Sequence, residues 1–467
     1  MKEWVTTRPR DLPVGGRRCA LRWRKRRWCC DQASCPRQTF TEQVPQIPAR
    51  SRLTRRLRQA GGAAVGDGGR TVIQSARDHG VSWPIVSAAF TEHAHRVLPA
   101  QPELVTVLGI DEVRRGRPRW MLDEAAGTWT TAVDRWHTGF VDLSGEQGLL
   151  GQVEGRTIAA VTGWLNQRDP AWRQQVAFVA IDMCTIFKAA VRAVLPQATL
   201  VVDHFHIVQL ANQALTEVRR RVTVQIRGRR GRKGNREWEL RNRLTRSAAR
   251  MHGSQLDPMV DDLHALPARL GRPILTAWNA KEDLLDLLAL ARTHPDRSVI
   301  ADRLYRFYNR CAASGLPELE RLATTVESWW PEILAFIQTG ITNAGSEGTN
   351  RVIKTTARDA YGFRNPENQR LRTRCATTRR GRGYLNPAQL RRTGMVTILS
   401  HHPWGITVKI QGYDKVGASL DIIRRGSEPE VRRLAQDLPP AGTTIELLVG
   451  EVRIWHQDPG IWVDLTA

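Results

Sequence analysis

Residues 176–206 read Val176-Ala-Phe-Val-Ala-Ile-Asp-Met-Cys-Thr-Ile-Phe-Lys-Ala-Ala-Val-Arg-Ala-Val-Leu-Pro-Gln-Ala-Thr-Leu-Val-Val-Asp-His-Phe-His206. Two short apolar runs, 176–181 and 199–202, flank a stretch of helical spacing over 186–194, and a strand–helix–strand order predicts a parallel pair. Toward the amino terminus, residues 105–110, 128–133 and 138–141 are β-rich runs with turn residues between them, as in an antiparallel meander. Together they predict one mixed sheet of three hairpin strands followed by two crossover strands, with a helix over 157–167 between them. Residues 210–340 carry many helical patterns and almost no strand signal. The last 70 or so residues, with β runs at 407–411, 444–449, 452–455 and 461–463, read as a separate small α+β piece.

The 467 residues hold 70 Lys+Arg against 46 Asp+Glu, a formal charge of +24 that points to a polyanionic partner. A hydrophobic content of 41% supports real cores and excludes a disordered basic tail. No apolar run is long enough to span a bilayer and no secretory h-region opens the chain, so a cytoplasmic location and no membrane partner are expected. Seven cysteines, scattered except for Cys19, Cys29, Cys30 and Cys35, exclude a secreted disulfide framework. Residues 1–60 carry 16 Lys+Arg and 4 Asp+Glu, whereas residues 396–467 have a net charge of −2, so the two ends are distinct units. Between them, the glycine-rich residues 61–69 read as a flexible connection. They are not a phosphate loop, since Asp67 follows Gly66 where a lysine is needed. Residues 71–94 read as helix, turn, helix, with Ser82 as N-cap and Pro84 in the first turn; DNA binding or a plain helical spacer both fit.

Asp111 and Asp182 stand at strand ends, where parallel strands place residues on one edge of the sheet. Two bare carboxylates there repel, by roughly 4 kcal/mol at 4 Å, and a shared Mg²⁺ or Mn²⁺ resolves this; helix capping by each Asp is the alternative. A third acid is offered by Glu347, because Asn343, Glu347, Asn350 and Lys354 are spaced 4, 3 and 4 apart and share one helix face. Asp203, His204 and His206 follow a strand too. They are rivals for a place in the site, as supports for the ligands or, for His204 and His206, as a zinc centre.

The combination Leu12-Pro-Val-Gly-Gly-Arg17, Cys30-Asp-Gln-Ala-Ser-Cys35, Thr39-Phe-Thr-Glu42, Gly109-Ile-Asp-Glu112, Ala180-Ile-Asp-Met183, Val202-Asp-His-Phe-His206, Glu347-Gly-Thr-Asn-Arg-Val-Ile-Lys354 and Arg370-Leu-Arg-Thr-Arg374 resembles an insertion-sequence transposase of the ISL3 type. The resemblance covers about residues 10–390. It implies a multidomain α/β protein: a ribonuclease-H-like mixed sheet interrupted by an all-helical insertion, with amino-terminal DNA-binding modules; the small α+β tail lies beyond the resemblance. The expected division is a truncated zinc-ribbon-like module (1–48), a helix-turn-helix (49–98), the catalytic core (99–215), the insertion (216–340), the last core helix with a basic segment (341–395) and an appendage (396–467). The resemblance gives Asp111, Asp182 and Glu347 the metal positions of a DDE enzyme. The 164 residues between the second and third acids fit the family's insertion.

The family's zinc element has two cysteine pairs, of which only Cys30 and Cys35 are present. The missing pair implies a shortened amino terminus and puts zinc in doubt. Implied partners are double-stranded DNA, at transposon ends and target, and further copies of the chain in a homo-oligomer on DNA at the bacterial nucleoid. Phosphate contacts are expected from Arg227, Arg229, Arg230, Arg232, Lys233, Arg370, Arg372 and Arg374, with Asn350 and Lys354 beside the site. The implied chemistry is metal-dependent cleavage at the ends and strand transfer. A DNA-binding regulator with an inactive core and a nuclease without strand transfer remain alternatives.

Overall fold

In the computed structural model, residues 1–15, 17–116, 118–133, 135–145, 147–379, 382, 394–402, 405–411, 417–421, 439–454 and 461–466 are described. The chain forms two units: Met1–Glu103, Gly145–Gly151 and Thr349–Ala467 in one, Leu104–Ser144 and Gln152–Gly348 in the other.

The first unit opens with β1 (Glu3–Thr7), β2 (Arg10–Val14), β3 (Arg17–Ala20), β4 (Trp23–Cys29) and β5 (Thr39–Thr41). These make a three-stranded sheet, β1-β4-β5, and a β2–β3 hairpin. Buried Asp11 accepts from Thr54 Oγ1 at 2.7 Å and from Arg56 Nε at 2.7 Å, which fastens the hairpin to the start of α1 (Arg55–Gly66). The glycine-rich stretch is therefore a helix for most of its length and not a flexible connection. The reason is the approach of α3 (Trp83–Val97), which follows α2 (Val72–Asp78). A Cβ at Gly62 would collide with Ala89 O, and one at Gly66 would meet the His93 ring at 2.7 Å. Small residues here let two backbones pack directly, overriding glycine's weak helix propensity. The predicted helix–turn–helix is present, its helices started by Thr71, which accepts from Gln74 N, and by Pro84 in the first turn of α3.

The second unit is built on a sheet of β6 (Val107–Arg114), β9 (Trp136–Asp142), β10 (Leu149–Glu154), β11 (Phe178–Ile181) and β12 (Thr199–Val202), in the order β10-β9-β6-β11-β12. β6 pairs antiparallel with β9 and parallel with β11, which pairs parallel with β12. This is the ribonuclease-H-like mixed sheet, with one strand exchanged relative to the sequence reading. The run at 128–133 is β8 (Thr128–Val133), which leaves the sheet to pair with β7 (Arg119–Asp123). Its place is taken by β10, where Leu149 and Leu150 supply the continuous apolar pair that burial demands, while Trp120 and Trp129 of the hairpin stay exposed. Helices α4 (Ile158–Asn166), α5 (Pro170–Gln175) and α6 (Thr185–Val194) form the connections.

The insertion is all-helical, as expected, and begins inside α7 (His204–Arg227), one 24-residue helix leading from the sheet. It continues through α8 (Arg236–Glu239), α9 (Arg241–Leu244), α10 (Gly253–Ala265), α11 (Ala268–Leu288), α12 (Arg297–Ala313), α13 (Pro317–Ser328) and α14 (Trp330–Thr339). Buried Glu332 of α14 receives Lys188 Nζ at 2.7 Å and Arg192 at 3.1 Å, tying the insertion back to α6. Trp329 is buried with Lys188 over its ring, so it packs in the core. α15 (Ala344–Asp359) and α16 (Pro366–Thr377) follow.

In the tail, β13 (Gly394–His402), β14 (Gly405–Ile410), β15 (Gly417–Asp421), β16 (Thr444–Ile454) and β17 (Ile461–Thr466) close into a barrel, β13-β14-β15-β17-β16. Among the described tail residues the regular elements are all strands. The alternation Ile406, Val408, Ile410 faces the barrel interior, buried with Val396 and Ile398. Trp455 lies outside the described residues. Among those described, no helix is long and apolar enough to cross a membrane.

Candidate active site

In the parallel ladders Ile110 stands opposite Ile181, and Ile181 opposite Val202. The next residue on each strand is Asp111, Asp182 and Asp203, so three carboxyl groups form one row across adjacent strands. Asp111 does not end its strand as the sequence suggested. β6 runs on to Arg114 because its antiparallel pairing continues, with Asp111 opposite Gly139. Helix capping, the alternative weighed for Asp111 and Asp182, is seen instead at Asp203, which is fully buried and accepts from Phe205 N at 3.2 Å, starting α7.

Asp182 is held from two sides. His206 Nε2 lies 3.2 Å from its Oδ2, and Asn343 Nδ2 lies 3.3 Å from its Oδ1 and 3.3 Å from Ile110 O. Ligand atoms of Asp182, Asp203 and His206 all lie within 4.8 Å of one another. His204 points elsewhere: its ring stacks on Phe336 at 4.9 Å, with Nδ1 3.4 Å from Asp203 Oδ1. No His204–His206 zinc centre forms among the described residues.

Asn343 is fully buried at the start of α15, and Glu347 is half-buried in its first turn. Farther along, Asn350 is half-buried and Lys354 exposed. The close seating of this helix start depends on Gly109, where a methyl group would collide with Ser346 Oγ and come within 3.1 Å of Asn343 Oδ1. The polar stripe on α15 drew attention to Asn343. Its bridge between β6 and Asp182 was not legible, because a hydrogen bond across 161 residues leaves no periodic trace.

The acids act on one another through their charges. Burial, then the Asp182 charge, pushes Asp111 up to about 8, with Glu112 and Glu347 adding to the effect. Asp182 is raised by burial and by Asp203 and Glu347, against the opposing influence of His206 and Asn343. Burial and the Asp182 charge also raise Glu112, which the sequence reading left without a role. Asp203 Oδ2 and Asn343 Oδ1 are buried with no hydrogen-bond partner among the described residues. A set of hard oxygen donors that resist carrying their charges together fits a divalent cation.

The arginines separate into two groups. Arg372 is buried with NH2 3.3 Å from Arg70 O, and half-buried Arg374 donates to Pro99 O at 3.0 Å, so both are engaged with backbone carbonyls. Arg370 is 3.4 Å from Glu367. Arg227 makes a two-pronged pair with buried Glu237, at 2.6 and 3.1 Å, and Arg229 donates to Asn235 Oδ1. Arg230, Arg232 and Lys233 are exposed.

Comparison with known proteins decides the family. The DDE-type profile of family ISL3, described as Transposase, matches residues 108–373. The chain belongs to the ISL3 transposase family. It is thus a DDE transposase, a phosphoryl-transfer enzyme acting on DNA. A profile for the helix-turn-helix domain of transposase family ISL3 matches residues 42–94, and one for the zinc-finger of transposase IS204/IS1001/IS1096/IS1165 matches residues 1–35. The transposase for insertion sequence element IS1001 of Bordetella parapertussis is 28% identical over 386 residues, covering 80% of this chain and 85% of that one. The Drosophila P element transposase strand transfer complex aligns with a TM-score of 0.39 and 9% identity over 69% of this chain and 91% of that chain. A DDE transposase implies a divalent metal, and the acids described above fit one. The zinc-finger match suggests zinc, but the thiols are not gathered for it: among the described residues no three Cys, His, Asp or Glu groups converge there.

Proposed function

We propose that Asp111, Asp182 and Glu347 hold Mg²⁺, or Mn²⁺, and that this site cuts DNA at insertion-sequence ends and joins the freed 3′-ends to target DNA. The observation that carries the reading is the register that sets Asp111 beside Asp182, with Glu347 close enough to act on both. When bound, the metal supplies the charge that activates an attacking oxygen and neutralises a leaving one in an in-line displacement. The chain's own groups do the positioning. His206 and Asn343 hold Asp182 from opposite oxygens, Asp203 fixes the start of α7 that carries His206, and Gly109 lets Asn343 and Glu347 reach the sheet. Residues 1–98 would recognise the ends, in the bacterial cytoplasm at the nucleoid, and joining two ends calls for a homo-oligomer on DNA. A second reading has one specific support: Asp203 and His206 themselves lie at metal-binding distance from Asp182.

Alanine at Asp111, Asp182 or Glu347 should abolish Mg²⁺-dependent cleavage of a labelled end while duplex binding stays within a few fold. A Glu347→Ala protein that still cleaves, beside an Asp203→Ala protein that does not, would transfer the third position to Asp203. Metal-free stability is a second readout. Asp111 binds its proton more tightly folded than unfolded, so without metal the protein should lose stability as pH climbs from about 4 toward about 8. Thermal melts in chelator should show this slope, Asp111→Asn should flatten it, and added Mg²⁺ should remove it.

A further inference from the structure

In the helical insertion, the end of α7 and the start of α8–α9 enclose a cavity of about 710 Å³, lined by Arg219, Arg220, Arg221, Arg230, Arg241 and Trp238 among others, with no carboxylate in its wall. The acids nearby are already engaged: Glu318 takes Arg221 through both oxygens, and Glu237 takes Arg227. Arg219 is 7% exposed, and the acid acting on it, Glu237, is hydrogen-bonded to Arg227 instead. Desolvation, first, and the neighbouring Arg220 and Arg241 disfavour its charge, and the field of Glu237 only partly opposes them. An unpaired arginine that deep is expensive in free energy unless an anion completes it. Beside it the Arg241 guanidinium stacks 3.6 Å from the centre of the Trp238 ring, giving the wall a planar cationic surface.

We propose that this cavity binds a nucleotide through its phosphate, with Arg219 at the base, Arg220 and Arg230 at the rim, and the Trp238–Arg241 stack beside the base. Guanidinium forks suit phosphate oxygens, and aromatic–arginine surfaces suit nucleobases. The source of the nucleotide is a single DNA strand or a free nucleoside phosphate. The strand follows from the DNA-directed reading above and rests on it.

The test uses the full-length protein in chelator, with a short labelled thymidine strand and, separately, labelled ATP, read by fluorescence anisotropy at about 0.15 M salt. Arg219→Leu and the surface variant Arg220→Glu should each weaken binding at least about tenfold, whereas Arg269→Glu, an exposed arginine elsewhere in the insertion, should change it less than about twofold. Loss confined to the strand assigns the DNA source, and loss confined to ATP assigns the free nucleotide. Arg219→Leu should also melt higher than the parent, because it removes an unpaired buried charge. Binding unchanged in both variants, or lowered equally by Arg269→Glu, overturns the proposal, as does an Arg219→Leu protein that melts lower yet binds normally. Asp111→Ala should bind the strand like the parent; a protein that binds through this cavity but never cuts an end sinks the catalytic assignment and leaves the cavity standing.

Discussion

Two arginine-rich segments with the same texture in sequence, residues 219–233 and 370–382, meet opposite fates. In the first, Arg219 is buried, but Arg220 and Arg230 are exposed beside a cavity and Arg232 and Lys233 are exposed beyond it. In the second, α16 packs Leu371 and Cys375 into the helix-turn-helix core beside Val65, Val86 and Phe90. The arginines around that contact are drawn inside with it. Arg379 donates to Gly66 O at 3.2 Å, and burial pulls it down to about 10; Arg382 pairs with Asp67, which also lies 2.8 Å from His93 Nε2. A charge run therefore says nothing about exposure until its apolar neighbours are placed. In 370–382 the two larger apolar residues, Leu371 and Cys375, stand four apart on one helix face and are buried, and Arg372 goes in with them while Arg374, Arg379 and Arg382 are half-buried.

The comparison can be broken most directly at Arg382. Its removal leaves Asp67 buried and short of a partner, so Arg382→Ala should destabilise this unit by about 3–5 kcal/mol, while Arg232→Ala should stay within about 0.5 kcal/mol, both read from denaturant melts. Similar losses at the two sites would erase the distinction.

A smaller effect separates them by pH. Burial opposes the Asp67 charge, but His93 and Arg382 outweigh it and hold the carboxyl below its ordinary range. Its contribution is thus present above the unfolded value near 4 and lost as pH falls through the folded one. Asp67→Asn should blunt acid unfolding of this unit and leave that of the other unit untouched; an equal change in both would refute the assignment.

The smallest effect is on salt dependence. Lys233→Gln should lower the slope of log affinity against log salt for duplex DNA by about 1, and Arg372→Gln should leave it alone. A drop for Arg372→Gln as large as that for Lys233→Gln would return residues 370–382 to the DNA surface.

The sheet and its first two acids were legible because apolar runs bounded by Asp report local geometry: strand length, alternation and the edge where the strands point. The place of β10 was not, since the 128–133 run has the stronger β signal and draws the reading away from 149–154; the exposure of Trp129 against the burial of Leu149 and Leu150 is what separates them. The helical character of residues 61–66 was hidden for a similar reason. Glycine signals freedom in isolation, and its use as a packing surface against Ala89 and His93 depends on a helix met later in the chain. Asn343 and Gly109 belong to the same class, as each acts through a partner more than 200 residues away. The zinc-finger fold of residues 1–35 was readable in outline, yet the ligands it requires are not gathered, and interactions such as Asp11 with Thr54 and Arg56 secure the hairpin without metal.

The carboxy-terminal barrel has a consequence for the life of the chain outside catalysis. Each of its five strands has a neighbour on both sides, so the described strands offer no open row of amide and carbonyl groups. Newly made polypeptides that end in a loose sheet recruit one another by extending that row, strand to strand, into aggregates. A ring of strands ends the process with a single copy. An appendage of this shape can be carried at the end of a DNA enzyme without making each molecule a template for the next.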